Sequence, residues 1–184
     1  ILGVRGEMIH DQGAYTPQGV NLPYNASTAV PGPYIVPNYH LKVTVAETNR
    51  VPAMPVRGAG YPEGCFTMER LLDRAAIGLG IDRAEIRRRN LVPDDAYPHV
   101  SASGMRFEIL SQIASLDKLA DMMDYDGLRA EQSRLRDRGV YRGIGLATFV
   151  EVTNPSPMFY GVGGARIAAQ DGCTIKLEPS GVIT

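Results

Sequence analysis

The chain has 184 residues, 44% of them hydrophobic, which is enough to build the core of one ordinary domain or of two small ones. Its 19 basic and 20 acidic residues leave a formal net charge of -1, which argues against nucleic acid or a membrane surface as a partner. No apolar run approaches the roughly 18 residues of a membrane span, and Cys65 and Cys173 are too far apart for a disulfide framework or a zinc site, so a reducing, cytoplasmic location is expected.

The first 60 residues consist of extended runs separated by proline and glycine clusters. The opening "ILGVRGEMIHDQGAY" is typical of the interior of a strand, so we expect the chain to be an internal fragment of a larger subunit. In "HLKVTVAETN", Leu41, Val43 and Val45 alternate with polar residues, which predicts a half-buried strand. The clusters "TPQGVNLP" and "VPGPY" predict ordered loops of the kind that often belongs to a site. Their apolar anchors are Tyr24, Tyr34, Ile35, Val36 and Tyr39.

From Pro62 onward the pattern becomes that of an amphipathic helix. Pro62 suits the first turn, where its missing N–H has no helical partner, and Gly80 is a plausible stop. The expected buried positions are Cys65, Met68, Leu72, Ala75 or Ala76, and Leu79. The expected solvated positions are Glu63, Glu69, Arg70, Asp73 and Arg74.

A second helix is predicted in "GIDRAEIRRRN". Asp82 can cap it with Glu85 three residues later, and Ile81 and Ile86 have the spacing of a hydrophobic staple. The run 87–90, "RRRN", suggests a nucleic-acid patch at first sight. Three arginines at a helix end are better explained by the helix dipole and by acidic neighbours.

The rest of the chain predicts two charged, peripheral helices and then strands. "SLDKLADMMDYDGLRAEQSRLRDRG" predicts helices that are broken near Tyr125 to Gly127 and end at Gly139, with Met122 and Met123 as core filler. "GIGLATFVEV" and "GGARIAAQDGCTIKLEP" predict strands, with a hairpin turn at Asp171-Gly172.

This order of elements predicts an α+β fold, with helices packed on mixed sheets, rather than a repeating βαβ plan. Two portions are expected: a β-loop-helix portion over 1–139 and a β-hairpin portion over 140–184. His10, His40 and His99 are scattered, and each is interpreted as a structural histidine rather than a metal ligand.

The glycine-rich stretch "GAGYPEG", Gly58 to Gly64, has two interpretations. Its backbone N–H groups could face an anion at a helix start, assisted by Arg57. The dinucleotide fingerprint fails because the third glycine is one place late, and the triphosphate loop fails because no G-K-[ST] follows. The residues alone leave open a structural turn or an anion- or cofactor-binding loop.

The run "VRGAGYPEGCFTMERLLDRAAIGLGIDRAEIRRRNLVP" resembles the molybdenum hydroxylase large subunits, the family of xanthine dehydrogenase, aldehyde oxidoreductases and carbon monoxide dehydrogenase. "GEMIHDQGAY", "GPYIVPNYHLKV" and "RGVYRGIGLATFVEVT" are similar to segments of the same family, in the same order. The resemblance therefore covers essentially the whole chain. It implies a slice of a molybdopterin-binding domain, with 140–184 beginning the next subdomain.

The resemblance assigns roles to a few residues. It implies that the loop of Arg57, Gly58, Ala59 and Gly60 lies against the molybdenum–pterin centre. Ala59 matches a position that is an aromatic stacking residue in xanthine dehydrogenases, and Asn25 matches a substrate-orienting arginine, so both are candidate substrate contacts and purine hydroxylation is disfavoured. The general-base glutamate of the family has no counterpart and is expected outside this chain.

The same resemblance implies a small-molecule substrate, either an aldehyde or an N-heteroaromatic compound, that is hydroxylated with oxygen from water. It also implies a molybdopterin cofactor, in the cytosine dinucleotide form if the protein is bacterial, and iron–sulfur and FAD partner subunits or domains. The fragment alone is expected to be inactive. No protein metal ligand is expected.

Three departures from the family pattern keep other interpretations open. Copper-containing carbon monoxide dehydrogenases carry a cysteine after the loop arginine, where this chain has Gly58, and Val56 and Tyr61 also differ from the related "RGAGR" pattern. A carbon monoxide oxidiser is therefore a minor alternative, and a non-catalytic module of the same fold is another. Glu63, Glu69 and Glu151 are interpreted as structural residues rather than as substitutes for the missing base.

Overall fold

The structure is a computed structural model that describes residues 1–151 and 172–183. It confirms the α+β prediction: helices accompany one parallel and one antiparallel pair of strands. The elements in chain order are β1 (Val4–Gly13), α1 (Asn21–Ala29), β2 (Tyr39–Glu47), α2 (Tyr61–Leu79), α3 (Arg83–Arg88), a 3₁₀ turn (Asp94–Ala96), β3 (His99–Val100), β4 (Arg106–Phe107), α4 (Gln112–Met122) and α5 (Tyr125–Asp137).

β1 and β2 run parallel and are joined by α1, which makes a single βαβ unit. The register pairs Val4 with Tyr39 and continues to Asp11 with Ala46, after which it shifts. Both strands alternate between half-buried and exposed residues along most of their length, as predicted for β2. One face of the pair therefore covers the interior of the protein.

The sequence analysis missed α1, because it interpreted the proline- and glycine-rich stretch around Pro23 as a loop. Pro23 is the third residue of the helix and is fully buried. A proline in the first turn is tolerated, because the N–H groups there have no helical acceptor. The pattern of prolines therefore marked the start of a helix, not the absence of one.

α2 begins and ends where the sequence predicts. Pro62 lies in the first turn, and Gly80 ends the helix with φ +65°. Met68, Leu72 and Ala76 are buried as predicted, and they join a core made with Tyr34, Val36, Ile86, Leu91 and Leu116.

Three positions of α2 correct the predicted helical face. Leu79 was expected inside but is 67% exposed, because it lies in the last turn, beyond the core. Glu69 and Asp73 were expected in solvent but are buried. Their burial has a cause outside the helix, namely the guanidinium of Arg87 on α3.

α3 confirms its predicted cap. The Asp82 carboxylate accepts hydrogen bonds from the N–H groups of Ala84 at 2.7 Å and Glu85 at 3.3 Å. Ile86 is buried and Ile81 packs against the same core. The chain therefore turns sharply between α2 and α3 without leaving the helix start unsatisfied.

α4 and α5 are peripheral, as predicted, and α4 buries only Leu116. The break falls just before Tyr125, where Asp124 has φ +47° and accepts a hydrogen bond from the Gly127 N–H. The prediction for the two methionines is wrong: Met122 is 75% and Met123 55% exposed, because they lie at the solvent end of α4.

The chain after α5 runs extended over residues 140–151 but has no strand partner within the part that the structure describes. Alternate residues of this segment are half-buried, and its carbonyl groups accept hydrogen bonds from side chains of the helices. The predicted strand is therefore not formed in the described residues: the segment keeps an alternation of burial with period two but has no ladder. The predicted hairpin at Asp171-Gly172 falls partly outside the described residues, of which Leu177 and Ile183 form an isolated bridge.

In the described ranges, no helix combines the length and apolar character needed to cross a bilayer.

Candidate functional site

The glycine loop adopts an unusual backbone conformation. Gly58, Ala59 and Gly60 all have positive φ, at +107°, +43° and +98°. Two turn hydrogen bonds close the loop: the Ala59 N–H donates to the Val56 carbonyl at 2.9 Å, and the Tyr61 N–H donates to the Gly58 carbonyl at 3.0 Å. Glycine adopts positive φ at a lower cost than other residues, especially at values as large as those of Gly58 and Gly60, so the loop conformation explains these two glycines.

Part of the glycine pattern serves helix packing. A Cβ atom on Gly60 would lie 2.5 Å from the Leu22 carbonyl oxygen and 2.7 Å from the Ala26 nitrogen, both on α1. A Cβ on Gly64 would lie 2.8 Å from the Ala26 carbonyl oxygen. These two glycines therefore let α2 approach α1 closely, which supports the structural-turn interpretation for them.

Gly58 differs from the other two glycines. A Cβ there would meet only the ring of Pro62, at 2.9 and 3.0 Å. No atom of α1 lies within 4 Å of that Cβ position, and Gly58 lines the cavity described below. Gly58 is therefore the part of the loop that a ligand could approach most closely.

Asn25 is the predicted site residue that the structure brings against the loop. It lies on α1, is 1% exposed, and donates from Nδ2 to the Ala59 carbonyl oxygen at 2.8 Å. Its Oδ1 atom is buried and has no hydrogen-bond partner among the described residues. Asn25 and Ala59, which are 34 residues apart, thus form one unit with the loop.

Arg57 lies at the edge of a cavity of about 720 Å³. Its side chain is exposed, and it forms no hydrogen bond or ion pair with the rest of the described chain. Gly58 lines the same cavity, whose walls come from α2 and from residues 145–151. Its apolar lining residues include Tyr61, Phe66, Leu146 and Phe149.

The electrostatics of the loop favour an anion, but moderately. The N-terminus of the 19-residue helix α2 carries a positive partial charge, and Arg57 adds a full one. The N–H groups of Ala59 and Tyr61 are already used in turns, and Pro62 has none, so Gly58 and Gly60 supply the remaining loop donors. Glu63 in the first turn of α2 is exposed and weakens the attraction.

Two acidic residues that line the cavity, Glu69 and Asp73, belong to a buried charged cluster. The fully buried Arg87 donates from Nε to Glu69 Oε2 at 2.7 Å and from Nη2 to Asp73 Oδ1 at 3.0 Å. The Tyr34 hydroxyl donates to Glu69 Oε1 at 2.6 Å and also bonds to the Thr148 hydroxyl. Burial, and then the negative charge of Glu69, raise the pKa of Tyr34 far above its usual range.

This cluster decides the roles of two acidic residues. Both carboxylates face Arg87, and Glu69 also accepts from Tyr34, so they neutralise a buried cation rather than act on a ligand. Burial alone would lower the pKa of Arg87, but Glu69 and Asp73 raise it above its usual value. The acidic neighbours predicted for the run of three arginines are confirmed, but Glu69 and Asp73 were not predicted to be the buried partners of Arg87.

Cys65 lines the cavity but is not suited to nucleophilic chemistry. Burial, and then the charge of Glu69, raise the pKa of its thiol. A thiol with a raised pKa stays protonated near neutral pH and is a poor nucleophile. Within the described ranges, no group of three histidine, cysteine or acidic side chains is arranged to hold a metal ion.

Comparisons with known proteins agree on one family. A model of the molybdopterin cofactor-binding domain matches residues 1–91. The nicotine 6-hydroxylase large subunit of Paenarthrobacter nicotinovorans is 33% identical over 188 residues, which cover 100% of this chain and 23% of that protein. The carbon monoxide dehydrogenase large chain of Hydrogenophaga pseudoflava is 30% identical over 192 residues, which cover 98% of this chain and 23% of that protein.

A solved structure supports the same conclusion for the fold. Quinoline 2-oxidoreductase from Pseudomonas putida 86 superimposes with a TM-score of 0.80 at 30% identity, over 95% of this chain and 23% of that one. This chain therefore spans 23% of the length of each of these three relatives. Similar in sequence and fold to these subunits along nearly all of its length, the chain belongs to the molybdenum hydroxylase family, where it corresponds to a portion of the molybdopterin-binding large subunit.

Proposed function

We propose that the chain is the part of a molybdenum hydroxylase large subunit that cradles the molybdenum–pterin centre, in an enzyme that hydroxylates an aldehyde or an N-heteroaromatic compound with oxygen from water. The observation that carries this proposal is the exposed Arg57 guanidinium, which has no partner in the described chain and lines a cavity together with Gly58. An arginine with a purely structural role would be expected to pair with an acidic residue or to pack against the core, and Arg57 does neither in the described chain.

The loop and the cavity beside it have the donors and the volume to hold an anionic cofactor. The cavity of about 720 Å³ lies within the range of roughly 300–1,000 Å³ that is typical of ligand pockets. Arg57 offers a guanidinium, and Gly58 and Gly60 offer N–H groups. Gly58 lines the cavity, so its backbone is placed to approach the group.

The residues of this chain would bind and orient rather than transfer protons. When bound, the molybdenum–pterin group supplies the oxidation chemistry. The guanidinium of Arg57 carries only hydrogen-bond donors, so its role is to stabilise negative charge rather than to accept a proton. The general base is proposed to lie outside this chain, because Glu69 is committed to Arg87.

Asn25 and Ala59 are proposed to shape the substrate side of the loop. Ala59 carries only a methyl group, so it offers no ring on which a purine could stack. The nicotine 6-hydroxylase subunit and quinoline 2-oxidoreductase are named for N-heterocyclic compounds, which supports that substrate class here. The aldehyde alternative is supported by an aldehyde oxidoreductase of Megalodesulfovibrio gigas, 27% identical over 149 residues.

The remaining parts of the proposal concern the whole enzyme. The cofactor is proposed to be the cytosine dinucleotide form if the protein is bacterial, with iron–sulfur and FAD groups on partner subunits or domains. The cytoplasm is proposed as its location, which two free cysteines support. The chain is also proposed to divide into a β-loop-helix portion, residues 1–139, and a portion that begins the next subdomain, residues 140–184.

A non-catalytic module is the second candidate. The observation that favours it is the packing of Gly60 and Gly64 against α1, which would select glycine without any ligand. That packing does not account for the exposed Arg57 or for the place of Gly58 in the cavity lining. The two candidates differ in whether the complete subunit holds molybdenum.

The test is the molybdenum, copper and pterin content of the complete subunit, purified from its native host. We expect molybdenum and pterin without copper, and a lower content of both in an Arg57→Ala variant. Arg74→Ala on the exposed side of α2 is the matched control and should retain both. A folded subunit that contains neither molybdenum nor pterin would contradict the proposal and favour the non-catalytic module. Molybdenum accompanied by stoichiometric copper would instead indicate a carbon monoxide oxidiser.

A further inference from the structure

The buried amide of Asn25 has a role of its own in the geometry of the loop. We infer that Asn25 is a positioning residue, which sets the direction of the Gly60 N–H by holding the carbonyl oxygen of Ala59. The hydrogen bond from Nδ2 to that oxygen is 2.8 Å long and links α1 to the middle of the loop. The inference rests on the proposed function, because it concerns a donor that the loop would offer to the cofactor.

The peptide plane makes this link directional. The Ala59 carbonyl and the Gly60 N–H belong to one planar trans peptide unit, so they point in opposite directions. Because Asn25 draws the carbonyl towards α1, the Gly60 N–H points away from the Asn25 amide. Rotation of this peptide unit would therefore turn one of the two remaining loop donors away from its present direction.

The loop needs such a restraint. Ala59 is a non-glycine residue with φ +43°, flanked by two glycines that also have positive φ. Glycines adopt many conformations at low cost, and a non-glycine residue in the left-handed region persists only when its surroundings hold it there. The turn hydrogen bonds involve the Ala59 N–H and the Gly58 carbonyl but not the Ala59 carbonyl, which leaves Asn25 as its partner.

The amide of Asn25 is dedicated to this contact. Only the nitrogen of a carboxamide can approach a carbonyl oxygen at 2.8 Å as a donor, which fixes the orientation of the side chain. Oδ1 has no hydrogen-bond partner among the described residues. No other bond of the side chain competes with the one to the loop, and an aspartate of the same shape would repel the Ala59 carbonyl.

Two Asn25 variants of the complete subunit test the inference. Asn25→Asp keeps the shape but removes the donor, and Asn25→Ser is too short to reach Ala59. Loss of this hydrogen bond should raise the hydrogen-exchange rate of the amides in residues 58–61 about tenfold in the cofactor-free subunit. When molybdate is limiting, both variants should also bind less molybdenum than the wild-type protein.

Asn21 provides matched controls. It lies on α1, is 5% exposed, and has an Oδ1 that also lacks a hydrogen-bond partner in the described ranges, but it forms no hydrogen bond with the loop there. Asn21→Asp and Asn21→Ser should leave the exchange of residues 58–61 unchanged. Their melting temperatures show how much a substitution inside α1 costs by itself.

Three outcomes decide between the possibilities. Faster loop exchange in Asn25→Ser, with residues 21–29 still protected and molybdenum content lowered, supports the inference even if Asn25→Asp fails to fold. Unchanged loop exchange in Asn25→Ser, or equal effects at Asn21 and Asn25, overturns it. A wild-type subunit that lacks molybdenum overturns the proposed function, whereas a loaded wild-type subunit with an unaffected Asn25→Ser variant overturns only the role of Asn25.

Discussion

The hydroxyl group of Tyr39 is held inside the fold by a hydrogen bond of 2.5 Å to the Ser27 carbonyl oxygen. Burial raises the pKa of Tyr39 to about 12, whereas a tyrosine in an unfolded chain titrates near pH 10. Between these two values the unfolded chain loses the proton while the folded chain keeps it. Since the unfolded state then binds fewer protons, stability falls as the pH rises through this window.

We therefore predict that a Tyr39→Phe variant loses less stability between about pH 9 and about pH 11.5 than the wild-type protein. The buried Tyr34, whose pKa is also raised, adds a fall of the same sign that remains in the variant. The free energy of unfolding in urea at a series of pH values measures the difference. Tyr141→Phe, at a side chain that is 82% exposed, is the control and should follow the wild-type curve. Parallel curves for wild type and Tyr39→Phe would contradict the prediction.

Single residues also show where sequence reasoning fails. Glu69 and Asp73 lie at positions that helical periodicity assigns to solvent, yet both are buried. Their partner, Arg87, follows 18 and 14 residues later, beyond the range of any local pattern. The contact of Asn25 with Ala59 likewise joins residues 34 positions apart, so only the three-dimensional structure could reveal it.

At the scale of elements, α2 packs against α1 through Gly64, and this contact can be tested against a second glycine of the same helix. A Cβ on Gly64 would meet the Ala26 carbonyl oxygen and the Ala29 Cβ at 2.8 Å, whereas a Cβ on Gly78 would meet nothing within 4 Å. The first substitution therefore forces the two helices apart. The second only replaces a poor helix former with the best one.

We predict opposite signs for these substitutions. Gly64→Ala should destabilise the protein by about 1–3 kcal/mol, the usual cost of overpacking. Gly78→Ala should stabilise it by roughly 0.5–1 kcal/mol, because alanine loses less backbone entropy in a helix. Chemical denaturation of the two variants beside the wild type measures both values. If the Gly64→Ala variant were as stable as the Gly78→Ala variant, the conclusion that Gly64 is needed for the close packing of α1 against α2 would be contradicted.

The predicted elements succeeded where local signals agree. α2 and α3 follow from periodicity, from Pro62 and Gly80 at the ends of α2, and from the Asp82 cap, all of which lie within a few residues of the helices. The prediction of a strand within residues 140–151 was wrong, because a strand forms a ladder only with a neighbouring strand, and the local sequence does not show whether one is there. The parallel pairing of β1 with β2 was not predicted for the same reason.

At the scale of the whole molecule, the long resemblance to the molybdenum hydroxylases carried more information than any single motif. The glycine loop by itself fitted a turn as well as a cofactor site, and its glycines differ in their surroundings: Gly60 and Gly64 pack against α1, while Gly58 lines the cavity. Only the order of several segments along the chain identified the family, which the comparisons confirm. The resemblance placed the Arg57 loop at a cofactor site, but the residues 145–151 that complete the cavity around it could not be predicted without the fold.

Arg87 joins distant parts of the molecule, since its hydrogen bonds reach Glu69 and Asp73 on α2 and the Leu146 carbonyl in the extended segment. An Arg87→Met variant would leave the buried Glu69 without a cation among the described residues, and Asp73 with only Arg70 and Arg83, each at 3.8 Å, which should cost about 3–5 kcal/mol. Arg89→Met is the control: its pair with Glu85 is exposed, so its loss should cost about 1 kcal/mol or less. Urea denaturation measures both. Equal, small losses would mean that the extended segment and α2 do not depend on Arg87 for their association.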